Sequence, residues 1–131
     1  MLYKEFYSEL GKLFYAIADS DGVITKQERT VLLELVKKEL VPNENSIDEF
    51  GTDAAFYTEF EFDIMDDVIA EPKVAFESFI NFMEMHRKAI DKKLIKITLK
   101  VATKIADSYY QTNKKEHDLI NMLKNKLNHL L

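Results

Sequence analysis

The stretch KEFYSELGKLFYAIADSDGVITKQE, residues 4–28, decides the fold class. Its first part places Phe6, Leu10, Leu13, Phe14 and Ile17 at steps of three and four, which winds them onto one face of a helix over residues 4–18. Asp19-Ser20-Asp21-Gly22 stops that helix, because short polar side chains and glycine favour turns over helical continuation. A second helix is expected from about Lys26. Thr25 is placed to cap its first amides, and Glu28, three residues on, is placed to reach back as the capping-box partner. Leu32, Leu35, Val36 and Leu40 supply its buried side, and Pro42 ends it.

The same unit recurs near the other end of the chain. Shifting the sequence by 88 residues sets Ile17-Ala18-Asp19-Ser20 on Ile105-Ala106-Asp107-Ser108, Lys26 on Lys114, Glu28 on Glu116 and Leu35 on Leu123. Thr25 coincides with Asn113, both good N-cap residues. Identities number eight over 27 aligned positions, and the apolar pattern, cap and carboxylates agree. The copies differ at Asp21-Gly22, which becomes Tyr109-Tyr110.

Between the two units, a helix from about Asp53 to Ala70 is favoured over a strand, since Phe56 and Phe60 lie four apart and a lone strand has nothing to pair with. Pro72 suits the first turn of the next helix, whose apolar face is Phe76, Phe79, Ile80, Met83 and Ile90, with Glu84 and Lys88 as a favourable pair four apart. A fifth helix is expected from about Asp91 to Ser108, with Leu94, Ile95, Thr98, Val101, Ala102 and Ile105 inward. The last starts after Asn113 and buries Ile120, Leu123, Leu127 and Leu130. The expectation is an all-α, compact bundle of about six helices, one domain over residues 1–131, with two pseudo-repeated helix–turn–helix units.

Composition agrees with this. The chain is 47% hydrophobic, enough for a core, and its three glycines and two prolines are too few for a turn-dense β architecture. The absence of cysteine removes disulfides, thiolate catalysis and cysteine-ligated zinc. No apolar stretch reaches the roughly 18–20 residues of a membrane span and no signal-peptide core follows Met1, so a cytoplasmic protein is expected. A net charge of −5 disfavours nucleic acid as a partner. Residues 39–72 carry eleven acids and no Lys or Arg, whereas residues 73–131 carry twelve bases and six acids, so the acidic middle and basic C-terminal half could attract each other within one fold or between molecules.

The run from Asp19 to Glu28 carries chemistry. Setting Gly22 at position 6 of an EF-hand-like calcium loop puts Asp19, Asp21 and Glu28 at positions 3, 5 and 12, with Ile17 where the first ligand belongs. A hard divalent cation (Ca, Mg or Mn) would need further oxygens, from water or from Asp107 and Glu116 of the second unit. The same residues also serve as turn and cap without any metal.

On Ile17-Ala18-Asp19-Ser20-Asp21-Gly22-Val23-Ile24-Thr25 through Glu28, and again on Ile105-Ala106-Asp107 through Glu116, the chain resembles the tellurite-resistance TerB-like family, which takes in the N-terminal domain of DjlA-type membrane-bound co-chaperones. The resemblance spans most of the chain on barely a dozen specific residues. It implies a helical fold without known catalysis, a shared acidic metal site at Asp19, Asp21, Glu28, Asp107 and Glu116, and a link to bacterial stress. Tyr109 and Tyr110 depart from the Asp-Gly of a symmetric site.

Two surfaces are candidates for contact with an unknown protein partner or a homodimer. The acidic helix carries Phe56, Tyr57, Phe60 and Phe62 in excess of one narrow core stripe, and aromatics anchor interfaces. Lys92, Lys96, Lys100 and Lys104 recur every four residues as a basic ridge. His86, His117 and His129 lack metal-ligand spacing, and no phosphate loop or nucleophile elbow is present. The leading expectation is therefore a non-enzymatic binding domain that presents a packed helical surface to a partner, with the acidic turn read first as a plain turn and cap and second as a weak divalent-cation site. The alternative is a metal-dependent hydrolytic or stress enzyme using the same carboxylates.

Overall fold

Helix α1, Tyr3–Ala18, is surrounded, because its sequence is apolar on nearly every side. Phe6, Leu10, Leu13, Phe14 and Ile17 are buried as their spacing predicts, but so are Tyr7, Tyr15, Ala16 and Ala18. A helix apolar all round belongs at the centre of a bundle, not on its surface. The computed structural model of the chain describes residues 3–19, 26–40, 53–90, 92–108 and 114–130.

Five further α-helices follow: α2 (Lys26–Leu35), α3 (Asp53–Asp67), α4 (Pro72–Met85), α5 (Lys92–Ser108) and α6 (Lys114–Asn128). No strand occurs among the described residues. A π-helical segment, Val36–Leu40, prolongs α2, and a 3-10 turn, Arg87–Ala89, follows α4. Helix α1 packs mainly on α3 and α4 and also touches α5 and α6, while α2 lies on α5. One core cluster joins Phe14 and Ile17 of α1 to Leu32 and Val36, Phe62, Phe79 and Met83, Val101 and Ile105, and Leu123 and Leu127.

Most helix boundaries follow the sequence signals. Pro72 sits in the first turn of α4, and α2 and α6 begin at Lys26 and Lys114. The proposed caps Thr25 and Asn113, with Pro42, lie outside the described residues. The expected pairing of Glu84 with Lys88 loses its helical spacing, because α4 ends at Met85 and the chain tightens into the 3-10 turn.

Helix α3 stops three residues short of Ala70 in a Schellman motif. The Ala70 amide donates to the Met65 carbonyl at 3.0 Å and the Ile69 amide to the Asp66 carbonyl at 3.2 Å. Ile69 adopts φ 52° at the position where glycine is usual.

Among the described side chains of α3, Thr58 and Phe62 face inward and Phe60 faces outward. Phe60 is 53% exposed and Phe62 only 1%. The backbones of α1 and α3 come very close at this crossing. A Cβ at Gly11 would stand 2.5 Å from the Thr58 carbonyl oxygen, and the Thr58 hydroxyl donates to the Tyr7 carbonyl at 2.9 Å. Acids of α3 are held by bases from the first 38 residues. Arg29 donates to both oxygens of Asp63, at 2.8 and 2.7 Å, and to Glu59 at 3.0 Å, while Lys12 approaches Glu61 at 3.9 Å. Among the described residues these pairs tie the acidic helix to the N-terminal segment. Blocks of charge along a chain do not state which helices adjoin.

Candidate functional site

Asp19 closes the last turn of α1. Its amide donates to the Tyr15 carbonyl at 2.8 Å, and its carboxylate accepts from the Tyr15 hydroxyl at 3.2 Å. The same hydroxyl reaches the Ala70 carbonyl at 2.8 Å, the oxygen that the Schellman motif presents. A phenol has one proton for these two acceptors. Burial, the Asp19 carboxylate and then the charge of Asp66 push the Tyr15 phenol up to about 12, since a phenolate there would face oxygens alone. Tyr15 therefore ties the end of α1 to the α3–α4 corner as a neutral donor.

The other carboxylates of the expected site are placed as follows. Asp21 and the side chains of Glu28 and Glu116 lie outside the described residues, although Glu28 stands in α2 and Glu116 in α6. Asp107 is exposed in the last turn of α5. Among the described residues no group of three or more His, Asp or Glu side chains is gathered to hold a metal ion.

Of the expected contact aromatics, Phe62 is a core residue. It stands edge-on to Tyr15, ring centres 6.0 Å apart at 76°. Tyr57 is half-buried against the core, Phe60 faces outward, and the Phe56 side chain lies outside the described residues. Lys92, Lys96 and Lys100 are exposed along the outer side of α5, opposite Ile95, Thr98, Ala102 and Ile105, with Lys104 half-buried. His86 lies against Phe82, ring centres 4.5 Å apart, and His129 bonds the Asn125 carbonyl, so neither is arranged as a ligand pair.

A concavity that the sequence did not announce lies between α4 and α6. Its volume is about 670 Å³, within the range of ligand and peptide sites. Phe76, Ile80, Leu119 and Met122 make it apolar, and Met122 is 48% exposed at its lip. The two helices run in the same direction. Arg87, just past α4, donates to the His129 and Leu130 carbonyls beyond α6, at 3.2 and 3.3 Å, and Glu84 and Lys126 adjoin there. Hence Lys73 and Asp118 share one end of the groove, and Glu84 and Lys126 the other. Neither pair closes to an ion pair across the gap. The available signal was faint: Leu119 and Met122 stand off the Ile120–Leu123–Leu127 stripe of α6, an apolar excess that one buried face does not use.

No helix among the described residues is long and apolar enough to cross a membrane. In comparison with known proteins, the chain matches no family model, no curated protein and no solved structure.

Proposed function

We propose that this chain is a non-catalytic binding domain, TerB-like in type, that works through the groove between α4 and α6. The observation that carries the reading is the groove itself: an apolar floor, an exposed methionine at the lip, and corner charges left apart by its width. Helix grooves of this build take apolar anchors from a partner while the rim selects by charge. The TerB-like kinship rests on residues 17–28 and 105–116 and adds the expectation of a stress-linked role. Proteins captured by the immobilised domain should be lost on Met122→Glu, with the fold checked by circular dichroism. Equal capture by both proteins would refute the reading.

A weak divalent-cation site at the acidic turn is a second reading. It is favoured by the negative potential of Asp19 and Asp66 that acts on Tyr15. Titration with calcium, magnesium or manganese should give weak heat that Asp21→Ala removes, and a bound cation should lower the pH at which Tyr15 ionises. No heat and an unmoved tyrosine titration would end it.

A further inference from the structure

We propose that the α4–α6 groove associates with a second copy of the same chain across a two-fold axis, an inference that rests on the groove being the binding face. The carrying observation is the order of charges around its mouth. Lys73, Asp118, Lys126 and Glu84 mark the four corners in turn, so the sign alternates at every step. An axis lying across the mouth, perpendicular to the helices, sets each helix antiparallel to its own copy. Lys73 then faces the second copy's Glu84, and Asp118 faces the second copy's Lys126. The axis then crosses α4 between residues 78 and 79 and α6 at Met122, the midpoints of the two pairs. The spans, about 16 Å from Lys73 to Glu84 and about 12 Å from Asp118 to Lys126, need not be equal because each helix meets only its own copy.

The centre of the face fits the same operation. Met122 is midway between Asp118 and Lys126, so its exposed side chain comes to the axis. There the unbranched thioethers of both copies can enter the hollow, a use to which methionine is well suited. Glu77, midway along the α4 rim, comes opposite the second copy's Ile80 and within a turn both of its Asn81, whose amide can donate to it, and of the second copy's Glu77, a like charge that the four corner pairs must offset. A contact of this kind is isologous and closes at two copies. A foreign helix of one charge sign has no such match, because it meets both signs along each rim.

Sedimentation equilibrium from about 1 µM to about 500 µM, a range that brackets weak interfaces, tests this. The wild type should dimerise within it, more weakly as salt is added. Asp118→Lys and Lys126→Glu should each weaken the dimer about tenfold or more. The double variant Asp118→Lys/Lys126→Glu should return to within about threefold of wild type, because the swapped charges again face each other. Met122→Glu should leave monomers. A wild type monomeric throughout, a salt-insensitive dimer, a double variant as weak as the single ones, or a dimer indifferent to Met122→Glu would each overturn the proposal. The salt series needs no variant and so stands even where a variant folds poorly. A monomeric wild type that still loses captured proteins on Met122→Glu overturns self-association alone, whereas a monomer with no such loss overturns the binding face as well.

Discussion

Gly11 governs how closely α1 and α3 approach. The nearest atom to an added Cβ is the Thr58 backbone oxygen at 2.5 Å, with the Phe62 backbone nitrogen at 3.1 Å, and backbone cannot step aside as a side-chain tip can. Alanine gains about 1 kcal/mol over glycine in a helix interior, but forcing two packed helices apart costs about 1–3 kcal/mol and strains the Thr58–Tyr7 bond. Gly11→Ala is expected to lower stability by roughly 1–2 kcal/mol in urea melts; a more stable variant would show that the crossing yields easily. Tyr15 gives a prediction with a pH signature. Its phenol ionises near 10 in the unfolded chain and at about 12 in the fold, so between those values the unfolded chain has released a proton that the fold keeps. The stabilisation is complete below pH 10 and is lost as pH rises through 12, by about 1.4 kcal/mol per unit. Tyr15→Phe lacks this slope and costs about 1 kcal/mol at neutral pH through its lost hydrogen bond. The wild type should therefore be the more stable protein at pH 7 and lose that advantage by about pH 11–12. Parallel slopes in denaturant melts across that range would remove the proposed environment of the phenol.

Among the elements, the end of α3 holds the clearest strain. Ile69 is 84% exposed, so its side chain gains little from packing, yet it occupies the left-handed region that β-branched residues resist. Ile69→Gly keeps the two closing hydrogen bonds and relieves the steric cost, so thermal unfolding should rise by roughly 0.5–1 kcal/mol equivalent. A loss instead would mean that the isoleucine makes a contact worth more than its strain. The Arg29 fork joins α2 to α3 through two carboxylates, with all three side chains about one-third exposed. Arg29→Ala should cost about 1 kcal/mol, and Arg29→Lys most of that, since an ammonium cannot grip Asp63 with both donors. Helix existence and most helix starts were legible because they depend on local signals: the three-and-four spacing of Leu94 to Ile105, the proline at position 72, the polar turn after Ala18; the ends of α3 and α4 were not. The inner face of α3 was not legible. Its apolar residues lie on several sides, and only the close pass of Gly11 selects Thr58 and Phe62 over Phe60.

At the scale of the molecule, the bundle is organised around α1, which touches α3, α4, α5 and α6, while α6 leans chiefly on α5 and borders a groove on its other side. That arrangement could not be read from charge blocks or periodicity, which describe faces but not which faces meet. The meeting of α4 with α6 is a product of how both pack on α1, so the groove between them has only the faint local signature of Leu119 and Met122. It does have a dynamic consequence. Opening α6 exposes Ile120, Leu123 and Leu127 and their partners on α5, whereas displacing α1 exposes the common core from Phe6 to Ala18 at once. Amides of α1 should thus exchange with solvent only through global unfolding, and those of α6 through a smaller opening of lower free energy. In native-state hydrogen exchange with added denaturant, the α1 amides should show the full unfolding slope at every concentration, while the α6 amides should start shallow and merge with them later. If α6 exchanged as slowly and as steeply as α1, the two helices would belong to one cooperative unit and the hub arrangement would have no energetic meaning.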